Sequence, residues 1–220
     1  MTVETAPLVI VGAGDHGRVI LELARALGDP PAGFVEQDAS GIARGTLVDD
    51  LLVLGSLDAP EGWRPALGPA LRFVVALGSN DARRRAFGVA VALGLEPAAL
   101  IHPSAILLGG ASVSPGAQVC AGAIIGVAAR VGSNVIVNTG AIVDHDVELG
   151  AHAFVGPGVR LAGRVRVGEG AFIGLGAVVR EGCAIGHGAL VAAGATVVND
   201  VPAGMRVAGV PAREMTTRAE

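Results

Sequence analysis

The sequence predicts two architectures in series: a small α/β unit with a parallel sheet over residues 1–98, then a parallel β-helix over residues 99–220. Three observations predict this. From Ile101 to Val197 an Ile, Leu or Val occupies every sixth position, seventeen times in succession. The residue four places after each is always Ala, Val or Cys. Ahead of this run the chain alternates short apolar stretches with amphipathic ones.

Leu8–Val11 reads as the first strand, closed by Gly12-Ala13-Gly14. An amphipathic helix follows from His16 to Leu27, with apolar positions at Val19, Ile20, Leu23, Ala24 and Leu27, and with Gly28 as its C-cap. Phe34-Val35, Leu51–Leu54 and Phe73–Leu77 are further strands. Asn80 or Asp81 is expected to cap a second helix that runs to Leu93 and closes at Gly94. The Pro- and Gly-rich stretch Ala59–Pro69 reads as a surface loop.

From residue 101 the period of six fits neither a helix at 3.6 nor a plain strand at 2, so the unit itself is repeated. The aliphatic residue and the small residue four later point inward, and the last two of the three residues between them form a corner. Such a corner favours positive φ, which Gly tolerates and Asn or Asp accept. Its second residue is Gly at ten of seventeen corners, and Asn134, Asp146 and Asp200 supply three more. Three hexads make one triangular coil of eighteen residues, stacked on the next at roughly 4.8 Å. The ends of such a stack need covering; the N-terminal unit and the tail Pro202–Glu220 are the candidates.

Composition excludes several classes. A net charge of −4 and a pI near 5.7 provide no basic footprint for nucleic acid. The tight basic cluster Arg83-Arg84-Arg85 reads as a solvated helix face. A mean hydropathy of +0.60 and the absence of Asp, Glu, Lys and Arg from residues 97–129 invite a membrane reading. That segment is nevertheless dense in Gly, broken by Pro103 and Pro115, and stays in hexad register, so no membrane partner is expected. No charged n-region precedes an apolar stretch at the start, and Cys120 and Cys183 are far apart in sequence. A soluble, cytoplasmic protein without disulfides is the expectation.

Gly12-x-Gly14-x-x-Gly17, after a strand and at a helix start, is a phosphate-cradle pattern. Alone it also suits a tight strand-to-helix turn with no ligand. Glu36 lies where a dinucleotide fold puts its ribose carboxylate, so NAD is an alternative to weigh. Against NAD, the unit is a Rossmann-like half of fewer than 100 residues, without a second mononucleotide motif. In the hexads, His145 falls at a corner between Asp144 and Asp146. A neutral imidazole beside a carboxylate is suited to general-base chemistry, and the same pair is found at plain solvent-exposed corners.

The hexads resemble those of the hexapeptide-repeat acyltransferases, and that resemblance implies left-handed winding. The tail Asp200-Val201-Pro202-Ala203-Gly204, with Gly209-Val210-Pro211-Ala212, is similar to the usual ending of those enzymes. Across nearly the whole chain, the sequence resembles the sialic-acid O-acetyltransferases and nucleotide-amino-sugar N-acetyltransferases. The likeness rests on Gly12-Ala13-Gly14-Asp15-His16-Gly17, on Gly78-Ser79-Asn80, and on Asn138-Thr139-Gly140-Ala141-Ile142-Val143-Asp144-His145-Asp146. It implies an acetyl-CoA-dependent N-acetyltransferase, with sugar O-acetylation and a non-catalytic sugar-nucleotide-binding scaffold as alternatives.

By the same resemblance, Gly12, Gly14, Asp15, His16, Glu36, Gln37 and Gly78 bind the nucleotide-linked amino sugar. The family often has paired aspartates where this chain has Glu36-Gln37, which leaves the base open. His145 is implied as general base and Asp146 as its support. Phe154 stands where the family usually has a second His near the thioester. Phe154, Gly163, Leu175 and Ala193 are implied to line acetyl-CoA, in clefts between the copies of a homotrimer. Neither cysteine has a basic partner in sequence, which favours direct transfer over an acyl-cysteine. His145, His152 and His187 occupy different columns of the stack, and His102 opens the repeat, so no metal is expected.

Overall fold

The computed structural model describes residues 6–215. The chain divides into two compact units, Met1–Leu100 and Ile101–Glu220.

The first unit is a six-stranded sheet with two helices. Its elements are β1 (Leu8–Val11), α1 (Asp15–Ala26), β2 (Gly33–Glu36), β3 (Leu47–Val48), β4 (Leu51–Ser56), β5 (Arg72–Val75), α2 (Asn80–Ala92) and β6 (Glu96–Pro97). The strand order is β3-β4-β2-β1-β5-β6, with β3 antiparallel to β4 and the other pairs parallel. All four residues of β1 are buried, as a strand covered on both faces requires. The chain leaves β1 to one side for β2 and later returns on the other side as β5. This makes β1 the switch point of the sheet, and a crevice opens beyond the carboxyl ends of strands at such a point.

Several local features differ from the sequence reading. The buried stripe of α1 contains Gly17, Ile20, Leu21, Leu23 and Ala24, whereas Val19 and Leu27 are exposed. Gly28 adopts φ 70° and its N–H returns to the carbonyl of Arg25, which ends the helix. The N-cap of α2 is Ser79, not Asn80 or Asp81: its hydroxyl accepts the N–H of Ala82 at 3.4 Å. The stretch 59–69 forms two 3₁₀ turns, Pro60–Gly62 and Arg64–Ala66, around a buried Trp63 whose Nε1 donates to the carbonyl of Ser56 at 2.9 Å. Arg83 is likewise buried, whereas Arg84 and Arg85 keep the solvated face expected of the cluster.

The second unit is a parallel β-helix whose faces are sheets of eight, six and five strands. Paired strands are eighteen residues apart, as in Gln118↔Ile136, Ile142↔Arg160 and Glu148↔Arg166, until the last coil, where Leu190 pairs with Arg206. The inward positions Val137, Ala141, Val143 and Val147 have 0% exposure and belong to one continuous aliphatic core. Positive φ occurs at the glycine corners and also at Ala128, Asn134, Asp146, His152 and Arg164. Asp200 is not among them; its carboxylate accepts the N–H of Ala184 at 2.8 Å.

A second glycine rule appears one residue after the aliphatic. A β-carbon on Gly132, Gly150, Gly168 or Gly186 would stand within 2.6 Å of backbone in the next coil, so the coils approach too closely for a side chain. The last strand of the largest sheet, Arg213–Glu214, runs antiparallel to Arg206–Ala208. Among the described residues no helix is long and apolar enough to cross a membrane.

Candidate active site

A crevice of about 520 Å³ opens in the first unit. Gly12, Gly14, Asp15, His16, Glu36 and Gly78 line it, together with Gly41, Ile42, Ala76 and Leu77. Gln37 is not part of this lining. The three glycines of the loop have distinct reasons. Gly12 has φ 102° and lies against Leu77, where a β-carbon would meet Cδ2 at 2.7 Å. Gly17 packs on the carbonyl of Gly12, which a β-carbon would approach to 2.2 Å. Gly14 caps α1 without a side-chain hydrogen bond, and nothing lies within 4 Å of where its β-carbon would be. The loop therefore places the first turn of α1, which receives no side-chain cap from Gly14, beside the crevice, where an anion can approach it.

Glu36 braces this loop: Oε1 accepts the N–H of Ala13 at 3.3 Å, and the side chain lies across Gly41. A residue with a β-carbon at 41 would collide with that carboxylate at 2.8 Å. Gly41 and Ile42 come from the loop after β2, which has no periodic signal, so the sequence offered no means of assigning them to the crevice.

In the β-helix, Ile142–Val143 and Glu148–Leu149 lie on adjoining faces, and Asp144 to Val147 turn the corner between them. Asp146 takes φ 56°, within the range that Asp tolerates. The carboxylate of Asp144 accepts the N–H of His145 at 2.7 Å, and the backbone of the corner is tied to neighbouring coils through Asp146 N to Val127 O and Arg164 N to His145 O, both 2.9 Å. Gly126, one coil earlier, passes beneath the 144–145 peptide, where a β-carbon would stand 2.5 Å from the carbonyl carbon of Asp144. Gly163, one coil later, leaves room for the imidazole itself.

His145 Nδ1 lies 3.0 Å from Asp146 Oδ2. A carboxylate only accepts, so Nδ1 holds the proton of the neutral ring and Nε2 is left with its lone pair. The hydrogen bond to Asp146 is the main cause that holds the imidazole above its ordinary pKa of 6.5. The charges of Asp144 and Asp146 act in the same direction, while partial desolvation and Arg164 oppose them. Arg164 itself sits at φ 60° and pairs with Glu181. The arrangement is an oriented imidazole with a free Nε2, 42% exposed, at the edge of the helix: a group able to accept a proton from a docked nucleophile.

The four positions implied for the acyl donor lie on different parts of one chain. Phe154 is on the largest sheet, with its ring stacked on Phe172 at 4.6 Å and 5°. Gly163 is in the His145 corner column, while Leu175 and Ala193 share another corner column eighteen residues apart. Phe154 has no hydrogen-bonding group to stand in for a histidine. Burial pushes the Cys120 thiol up to about 12, so it is not a ready nucleophile, and Cys183 is buried in the aliphatic core. His102 Nδ1 accepts the N–H of Ser104 at 3.1 Å and His152 Nδ1 pairs with Asn134 Nδ2 at 2.9 Å. Among the described residues no three His, Cys, Asp or Glu side chains are grouped to hold a metal.

The family of the PglD N-terminal domain matches residues 7–89. No curated protein matches the chain. Among solved structures, the acetyltransferase domain of PglB from Neisseria gonorrhoeae, in complex with acetyl coenzyme A, is 37% identical; the match covers 96% of this chain and 100% of that one, with a TM-score of 0.86. A variant of perosamine N-acetyltransferase from Caulobacter crescentus in which one His is replaced by Asn, in complex with CoA and GDP-perosamine, is 37% identical. That match covers 96% and 97% of the two chains, with a TM-score of 0.89. WeeI from Acinetobacter baumannii, at 24% identity and a TM-score of 0.85, shares the fold. With its small parallel-sheet domain and left-handed parallel β-helix, the chain belongs to the hexapeptide-repeat acetyltransferases, in the family of the nucleotide-amino-sugar N-acetyltransferases.

Proposed function

We propose that this enzyme transfers the acetyl group of acetyl-CoA to the amino group of a nucleotide-linked amino sugar by direct transfer, with His145 as general base. The observation that carries the reading is the His145 imidazole, half-exposed and oriented by Asp146 so that Nε2 keeps its lone pair. The substrate amine attacks the thioester carbonyl while Nε2 accepts its proton; the C–N bond forms, the C–S bond breaks, and the proton can pass on to the departing thiolate. A positioned base of this kind is worth about 10² to 10⁴ in rate. Asp146 keeps the tautomer that leaves Nε2 free and stabilises the imidazolium that forms.

The tetrahedral oxyanion needs a donor, and Phe154 has none to offer, so backbone N–H groups take that role. The sugar nucleotide docks its diphosphate on the loop from Gly12 to Gly17, at the first turn of α1. Because His145 and Gly163 lie on one corner column while Leu175 and Ala193 lie on another, a donor that meets all of them is best held between neighbouring copies of a homotrimer. The 37% identity to structures bound to acetyl coenzyme A, or to CoA and GDP-perosamine, supports both partners.

The test is a screen of UDP-, GDP- and dTDP-amino sugars, with free sialic acid, for acetyl-CoA-dependent release of thiol, followed by His145→Ala on the best substrate. A fall in kcat of at least about a hundredfold, with CoA affinity nearly unchanged, is expected. Near-normal turnover in that variant would remove His145 from the chemistry, and release of thiol only with free sialic acid would replace the N-acetylation reading with O-acetylation.

A further inference from the structure

Among the described residues, Arg83 is the one charged side chain that is buried, at 0% exposure. It belongs to the stripe Arg83, Ala86 and Ala90 by which α2 is buried, where an aliphatic residue is the ordinary choice. Burial lowers its pKa to about 10, a measure of the solvation it has lost, yet it stays cationic at neutral pH. A buried charge is poor evidence for stability, since well-packed apolar residues usually do as well or better. Its contacts suggest another reason.

Nη1 donates to the carbonyl of Leu77 at 3.2 Å and Nη2 to Asn80 Oδ1 at 2.8 Å. Leu77 and Gly78 form part of the crevice wall, and the Leu77 side chain fills the space beside Gly12. One planar group thus links the first turn of α2 to the segment that follows β5 and, through Leu77, to the glycine loop. A guanidinium presents its donors in a rigid fork, whereas a Lys ammonium is a single point on a flexible stem and cannot hold both acceptors at the same geometry.

We propose that Arg83 is a positioning residue for the nucleotide crevice, holding the Leu77–Asn80 segment in the conformation that the bound nucleotide meets. The proposal rests on the reading of this crevice as the sugar-nucleotide site.

The experiment compares wild type with Arg83→Lys and Asn80→Ala, which disrupt the same fork from its two ends. Calorimetry measures UDP, GDP, dTDP and CoA binding, and steady-state kinetics measure each substrate separately. The expected result is a rise of at least tenfold in the nucleoside diphosphate Kd and in the sugar-nucleotide KM, with kcat, acetyl-CoA KM and CoA Kd within twofold of wild type. A folded Arg83→Lys with unchanged nucleotide affinity overturns the proposal, as does an equal loss of CoA affinity, which marks a merely structural role. If Arg83→Lys does not fold, Asn80→Ala decides by the same readings, because it takes away the Oδ1 acceptor of the fork and leaves the guanidinium itself in place. Wild-type protein that binds none of the three diphosphates overturns the reading of the crevice, and this role with it.

Discussion

The imidazole of His145 occupies the space that a side chain at Gly163 would need: a β-carbon there would stand 2.3 Å from Nε2 and 2.4 Å from Cε1. The two residues are eighteen apart, one above the other in adjacent coils. Gly163 is not in the left-handed region, so an alanine there meets no backbone strain, only the ring.

Gly163→Ala is therefore expected to push the imidazole away from Asp146 without unfolding the helix. Turnover falls by about 10² or more, the scale of a lost general base, while the thermal midpoint moves by no more than about 3 °C. A melting curve and kcat on the same preparation check this. Wild-type turnover would mean that the ring is not needed where it lies.

Asp146→Asn separates orientation from charge. Asn tolerates the φ of 56° and its amide oxygen can still accept from Nδ1. The base works only when neutral, so activity rises with pH through the pKa of His145. In wild type Asp146 is the main cause that raises that pKa, and the acid limb of kcat/KM lies above 6.5. In the variant the limb moves to lower pH, and the plateau drops because the imidazolium loses its counter-charge. A pH–rate profile with the limb unmoved, or moved upward, contradicts the assignment.

The two glycine rules of the helix predict different penalties. Gly140 has φ 65° and open space around it, so Gly140→Ala meets backbone strain alone, about 1 to 2 kcal/mol. Gly132 is not left-handed, but a β-carbon there would stand 2.6 Å from the carbonyl oxygen of Leu149 and 2.9 Å from the N of Ala151. These are backbone atoms that can move only with the coil. Gly132→Ala should cost about 3 kcal/mol or more. Denaturant unfolding ranks the pair, and the reverse order would show that close approach of the coils does not govern the second rule.

Much of the helix was legible because a period of six leaves every inward residue aliphatic or small, and the strand register of eighteen follows from it. The corners were legible where composition carries the conformation, as at Asn134 and Asp146, and illegible at Ala128 and Arg164, which take positive φ without a residue that favours it. Asp200 misled in the opposite direction, because a short carboxylate serves a neighbouring N–H as readily as a left-handed turn. Arg83 was misread for a related reason. Charge normally marks the wet face of a helix, and only tertiary contacts reveal a guanidinium turned inward. His145 stood out as a departure from its repeat, but the part that Gly126 and Gly163 play in framing it did not, since both look like ordinary turn glycines.

The final antiparallel pair, Arg206–Ala208 with Arg213–Glu214, has a consequence for the protein in a crowded cell. A stack of identical parallel rungs is a template, and any further chain offering a rung in register could extend it. Here the last rung of the largest sheet runs the opposite way and presents the exposed Arg213 and Glu214 at its rim. A newcomer would meet reversed polarity and a charged border. On that face, the repeat that makes the scaffold easy to build is closed to extension by a further parallel rung.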